Sequence, residues 1–180
     1  MQTYLSLLRG INVSGQKSIK MVDLKALYQS LNFTNVTTYI QSGNVVFKST
    51  ITNTEELTTL IASKIKQHYN FDVPVQVLTL TELTAIVNNN PYVATAPLEQ
   101  LHVTILNAIP APEKLAALAV VPHGNDEYVI NHTTVYLRCT NGYGTTKLTN
   151  NYLEAKLKTS ATTRNWKTIN VLLGMMQNEV

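Results

Sequence analysis

Three arginines, Arg9, Arg138 and Arg164, stand among fourteen basic residues, each where a strand end or helix start meets polar, turn-forming neighbours. A guanidinium is a planar fork that grips phosphate or carboxylate through two parallel hydrogen bonds, which a lysine ammonium cannot copy. Beside them stand Asn12, Gln41, Asn44 and Asn165, whose amides both donate and accept. The chemistry these types could do is recognition of a small phosphate- or carboxylate-bearing molecule. Arg9 and Arg164 would hold its charge, Lys147 would serve as a further clamp, and Asn12, Gln41 and Asn44 would orient it, with Asn165 beside Arg164. The same side chains suit a second job, since glycine and asparagine accept positive φ and close turns through local bonds. Both readings stay open at the level of sequence.

Other chemistries find less support. The stretch Asn141-Gly142-Tyr143-Gly144-Thr145-Thr146-Lys147 precedes a helix and offers amides to an anion. It lacks the glycine spacing and the Lys-Ser/Thr order of a phosphate-binding P-loop, so a plain connection explains it as well. The histidines His68, His102, His123 and His132 have no carboxylate or cysteine at telling spacing. Paired acids occur only as Glu55-Glu56 and Asp126-Glu127, at a helix start and a strand start, where dipole and solvation account for them. No catalytic base can be named, no cofactor is implied, and enzymatic activity stays undecided.

The elements that must position these residues follow from periodicity. Thr3 to Leu8 is rich in strand formers, and a loop holding Gly10 and Gly15 follows. Met21, Leu24, Leu27, Tyr28 and Leu31 then recur at helical spacing. Val36 to Gln41 and Asn44 to Ser49 flank Ser42-Gly43, which predicts a hairpin with a two-residue turn and Gln41 opposite Asn44. Asn53 caps a helix running to Tyr69, and Val75 to Leu80 is a strand. This order, β-α-β-β-α-β, is that of a ferredoxin-like sandwich with helices on one sheet face. After a connecting segment near 81–100, residues 101–180 repeat β-α-β-β-α: a strand over Leu101–Leu106, a helix from Pro112, a hairpin over 128–138 and a helix from Thr149 to Leu157. An extra C-terminal helix, with Thr163 as its N-cap, stands where a sixth element is due. The expectation is an α+β fold of two tandem ferredoxin-like halves, 1–80 and 101–180.

Composition bounds the rest. With 44% hydrophobic residues in 180, the chain can bury one sizeable core or two small ones. Its apolar runs fall short of the ~20 residues a spanning helix needs, and the start carries no basic leader, so a cytoplasmic protein without membrane association is expected. A single cysteine, Cys139, cannot pair internally and reads as a small buried thiol; no metal site is expected. Residues 1–20 hold Arg9, Lys17 and Lys20 and no acid, residues 21–135 hold five lysines against nine acids, and residues 136–180 hold six basic groups against Glu154 and Glu179. Basic ends that meet would form a cationic pocket for an anionic partner. Nucleic acid is the alternative partner, because βαββαβ is also the order of an RNA-recognition module. Such modules stack bases on exposed sheet aromatics, and only Tyr4 and Tyr39 could serve. A third reading is an interaction module without a ligand that uses its uncovered sheet face to form a homodimer or to bind another protein.

Three segments carry a resemblance. Leu7-Leu8-Arg9-Gly10-Ile11-Asn12-Val13, Tyr39-Ile40-Gln41-Ser42-Gly43-Asn44-Val45-Val46-Phe47 and Thr162-Thr163-Arg164-Asn165-Trp166-Lys167-Thr168 are similar, in the same order, to the signature segments of a bacterial family known as domain of unknown function 1697. The resemblance implies small cytosolic proteins with tandem ferredoxin-like halves and no established activity. Ser14 stands where a glycine is common and Lys167 where an asparagine is common.

Overall fold

The computed structural model describes residues 1–179. The chain divides into two compact units, one of residues 1–85 together with the C-terminal stretch from 171, the other of residues 86–170. Each contains a four-stranded antiparallel sheet with helices, so the fold is α+β with tandem ferredoxin-like halves and a C-terminal helix.

In the first unit the elements are β1 (Gln2–Leu8), α1 (Met21–Gln29), β2 (Thr34–Tyr39), β3 (Asn44–Ser49), α2 (Thr54–Tyr69) and β4 (Val75–Thr79). The sheet order is β2-β3-β1-β4. Alternation along the strands sends Tyr4, Val45, Phe47, Val75 and Val77 to one face, where Leu24, Leu27 and Tyr28 of α1 and Leu57, Ile61 and Ile65 of α2 meet them. Phe47 is the centre of this core: its ring stacks on Phe33 at 4.5 Å and meets Tyr28 edge-on at 5.4 Å. Helix α2 begins where the Asn53 side chain accepts from the amides of Glu55 and Glu56, and it ends at Asn70, whose φ of 58° turns the chain out.

The β2–β3 hairpin differs from its expected form. Tyr39, not Gln41, lies opposite Asn44, and Thr38 lies opposite Val45. Residues 40–43 therefore make a four-residue connection. The slip is two residues, an even number, so Val45 and Phe47 keep the core face while Ile40 and Gln41 leave the sheet. The opposite face of this sheet meets the chain's own C-terminus. Asn35 donates to the Glu179 carboxylate at 2.7 Å, Lys48 lies 4.0 Å from the same group, and Thr37 and Val46 line a shallow groove with Met175 and Asn178.

Helix α3 (Leu80–Asn88) opens on a reciprocal cap in which Thr79 donates to the Glu82 carboxylate and Glu82 N donates to Thr79 Oγ1. The second sheet is built from β5 (Leu101–Leu106), β6 (Glu127–Asn131), β7 (Thr134–Arg138) and β8 (Ala161–Asn165), in the order β6-β7-β5-β8. Helices α4 (Pro112–Ala119) and α5 (Asn150–Leu157) supply Leu118, Leu153 and Leu157 to a core with Leu106, Val135 and Leu137. Strand β8 corrects the expectation that a helix replaces the sixth element: strand and helix are both present, and α6 (Trp166–Gln177) follows β8 directly. Ala161-Thr-Thr-Arg-Asn shows no apolar alternation because its hydroxyls do the packing. Thr163 bonds Thr104 at 2.6 Å and donates to Asn150 at 2.7 Å. The α6 cap is Asn165, which accepts from Thr168 N at 2.7 Å, while Thr163 stays in the strand. Among the described residues no helix is long and apolar enough to cross a membrane.

Candidate functional site

Strand β1 is buried along its length from Thr3 and ends at Arg9, where the chain enters a loop running to Lys20. Leu8 N donates to Gly43 O at 2.8 Å and Arg9 N to Pro74 O at 3.0 Å, so the strand end is clamped from both sides. In the loop, Gly10, Asn12, Ser14, Gly15 and Lys17 all have positive φ, between 46° and 74°. A chain this contorted needs bracing, and Asn12 supplies it. Its Oδ1 accepts from Ile19 N at 2.8 Å, and its Nδ2 donates to Ile19 O and to Gln41 O, both at 2.9 Å. The first bonds close the loop on itself, and the last ties it to the 40–43 connection. Lys17 Nζ donates to Asp72 O at 2.6 Å, a further tie.

The 40–43 connection is equally constrained. Asn44, fully buried, donates through Nδ2 to Tyr39 O at 3.0 Å and Ser42 Oγ at 2.9 Å. Gly43 has φ of 79° and lies so close to Leu8 and Ile11 that any added Cβ would force them apart. Ile40 carries φ of 46° and is 51% exposed. For a β-branched residue this conformation costs about 1–2 kcal/mol. Val13, on the neighbouring loop, is also exposed.

The structure thus brings Arg9, Asn12, Gln41 and Asn44 together in the first unit. The Asn12 and Asn44 amide hydrogens are spent on holding loops, whereas Gln41 is exposed and lends its carbonyl to Asn12. Tyr4 is not a stacking platform, because it is fully buried in the core with its hydroxyl donating to Ile51 O at 2.9 Å.

Lys147, Arg164 and Asn165 belong to the second unit. Arg164 sits mid-strand in β8 opposite Val103, and its guanidinium donates to Thr163 O at 2.9 Å. Burial pushes it down to about 10, and the nearby Tyr143 phenol acts in the opposite direction. Tyr143 belongs to the glycine-rich loop and stacks on His102 at 4.9 Å. Lys147 is exposed, and the α5 start beside it is served by Thr149, which accepts from Tyr152 N. Arg138 is committed to Glu127 at 3.0 Å and to Gln100. What the acid pair at 126–127 concealed is Asp126. It accepts from Thr140 N, Thr140 Oγ1 and, at 2.6 Å, Thr146 Oγ1, pinning both ends of the glycine-rich loop. An adjacent carboxylate and two downstream threonines are too common a combination to signal this. Cys139, beneath that loop, is fully buried, and burial pushes its thiol up to about 11.

Two histidines of this unit give a pH dependence. Burial lowers the pKa of His102, with its bond to Gln100 O opposing; burial and then Lys147 lower that of His123, with Asp126 opposing. A folded-state pKa below the unfolded value means that the unfolded chain binds protons first. Stability is therefore full above the unfolded histidine pKa of about 6.5 and declines as pH falls below it. The melting temperature is expected to drop between pH 7.5 and pH 5.5, and His102→Asn, which cannot titrate, is expected to flatten that slope.

Comparison with known proteins agrees with this architecture. The profile of a family described as "Protein of unknown function (DUF1697)" matches residues 1–136. Among solved structures, the conserved bacterial protein SP0830 from Streptococcus pneumoniae superposes with a TM-score of 0.75 at 20% sequence identity, covering 97% of this chain and 98% of that one. That likeness is one of fold. No curated protein matches this chain.

Proposed function

The chain belongs to the DUF1697 family, which brings no activity with it, and from the loop geometry we propose that the protein binds a small phosphate- or carboxylate-bearing molecule at the first unit's Arg9 loop. One observation carries the reading: an exposed β-branched residue, Ile40, is held at φ of 46° in the connection whose Gly43 is bonded to Leu8, the residue before Arg9. Backbone strain held at an exposed position gathers where structure serves recognition. In this reading Arg9 supplies the two-pronged grip, Gln41 contributes its exposed amide, and Asn12 and Asn44 hold the two loops in register. Lys17 and Lys20 add positive potential that steers an anion toward the loop. Lys147, Arg164 and Asn165 are offered as a second set of anion contacts in the other unit, with Arg164 the strongest of them because a desolvated guanidinium interacts more strongly with charge.

Thermal melts with inorganic phosphate, pyrophosphate and succinate test this. At a concentration about a hundredfold above the dissociation constant, binding adds about 2.7 kcal/mol, a rise of roughly 5–10 °C for a chain of this size. Arg9→Ala is expected to abolish the rise, read as the difference between melts of the same variant with and without anion, and Arg9→Lys to restore only part of it. No rise with any of the three, or an equal rise in Arg9→Ala, overturns the proposal.

A further inference from the structure

Strand β6 is the outer strand of the second sheet, paired only with β7. The direction of its backbone groups is fixed by the pairing of β7 with β5. Thr133 O accepts from Leu106 N at 2.7 Å and Cys139 N donates to Gln100 O at 2.8 Å, so odd-numbered residues of β7 direct their groups toward β5. Even-numbered ones, Thr134, Tyr136 and Arg138, therefore bond β6, and their partners are Asn131, Val129 and Glu127. Tyr128 and Ile130 are left with two N–H and two C=O groups pointing away from the sheet, and no backbone partner for them occurs among the described residues.

Natural sheets guard such an edge with lysine, proline or a bulge. The corresponding edge of the first sheet, β2, is guarded: its register breaks between Thr34 and Thr37, and Asn35 has φ of 51°. Strand β6 has regular register and no lysine, proline or bulge. Its exposed face reads Glu127, Val129, Asn131, with Val129 40% exposed.

We infer that β6 is an interaction edge whose partner is β6 of a second copy of this chain, paired antiparallel about a two-fold axis at Val129. The register follows from the outward groups. Tyr128 faces the second copy's Ile130 and the reverse, which gives four intermolecular backbone hydrogen bonds. Val129 faces its own symmetry mate in the non-hydrogen-bonded position, where side chains approach most closely. Glu127 faces Asn131, so no like charges oppose each other, and the carboxylate oxygen that does not bond Arg138 can accept from the asparagine amide. Tyr128 and Ile130, half-buried against the unit's own core, would extend that core across the junction. A five-residue strand buries less than the ~1,200 Å² typical of stable complexes, so the association is weak and concentration-dependent. It does not depend on the anion site.

Sedimentation of the full chain over a wide concentration range is expected to show a mass rising from 20.0 kDa toward twice that value. Val129→Lys, which opposes two ammonium groups at the axis, is expected to abolish the rise while leaving the dilute melting temperature unchanged. Val129→Cys supplies an independent readout. Across a non-hydrogen-bonded pair the Cα atoms lie ~4.5 Å apart, within disulfide range, and native Cys139 is fully buried. Under mild oxidation this variant is expected to form a covalent dimer. Glu127→Cys and Asn131→Cys are each expected to form no covalent dimer alone and to cross-link when mixed. A chain monomeric at every concentration, a dimer indifferent to Val129→Lys, or cross-linking in another register overturns the inference.

Discussion

Gly43→Ala is expected to lower stability by about 3 kcal/mol, the largest loss expected from a glycine-to-alanine change in this chain. Two costs combine. An alanine at φ of 79° bears the left-handed penalty of about 1–2 kcal/mol, and its Cβ would lie 2.6 Å from Leu8 Cβ and 2.9 Å from Ile11 Cδ1. The isoleucine tip can rotate, but Leu8 Cβ is fixed by strand β1 and by the bond from Leu8 N to Gly43 O. Relief therefore requires separating β1 from the 40–43 connection, an overpacking cost of about 1–3 kcal/mol. Gly10→Ala is the control. Its φ is 72°, yet nothing lies within 4 Å of the added carbon, so only the conformational part is expected, about 1–2 kcal/mol. Urea denaturation of the two variants separates close approach from backbone conformation. Equal losses would show that Gly43 matters for its φ alone.

Asn12→Ala is expected to cost a comparable amount, about 3 kcal/mol, because three hydrogen bonds at about 1 kcal/mol net disappear together. Asn12→Asp separates the roles of the two amide atoms. The introduced carboxylate keeps the acceptor for Ile19 N, but it turns an oxygen toward Ile19 O and Gln41 O, the two carbonyls that Nδ2 now serves. At neutral pH this variant is expected to be less stable than Asn12→Ala. Folding then favours the protonated carboxyl, which can donate to one carbonyl, so its folded-state pKa lies above the unfolded ~3.9. The penalty is full above that folded-state pKa and fades as pH falls through it. The gap between the two variants is therefore expected to narrow from pH 7 to pH 4.5, with the histidine contribution common to both cancelling. A constant gap would mean that the introduced carboxylate had swung out to solvent. Loss of the brace is also expected to weaken any anion response without touching Arg9, since the loop would no longer hold one geometry.

Most elements of the fold are legible in the residue pattern. Apolar residues at helical spacing in 21–31 and 54–69, alternation in 101–106 and 134–138, and the cap residue Asn53 each act within a few residues, so local physics decides them. The faces of the first hairpin are legible even though its turn length is not, because side chains repeat every two residues and the two-residue and four-residue turns differ in register by two. Strand β8 was hidden because its threonines owe their place to Thr104 and Asn150, fifty-nine and thirteen positions from Thr163, and no local period records such partners.

The candidate site divides the same way. Residue types alone determined that Arg9, Asn12, Gln41 and Asn44 belong to loops at a strand end and a turn, because glycine and asparagine are the side chains that tolerate those backbones. Only the tertiary structure decided that Asn12 spends its amide hydrogens on two carbonyls and Asn44 on a carbonyl and a hydroxyl, that Gly43 is required by Leu8, and that Ile40 is strained. The reason is that a hydrogen-bond donor has no preferred partner until folding brings one within about 3 Å: Gln41 reaches Asn12 across twenty-nine positions, Leu8 meets Gly43 only once β1 lies beside the 40–43 connection, and even the nearer partners of Asn44 are set by the turn that forms.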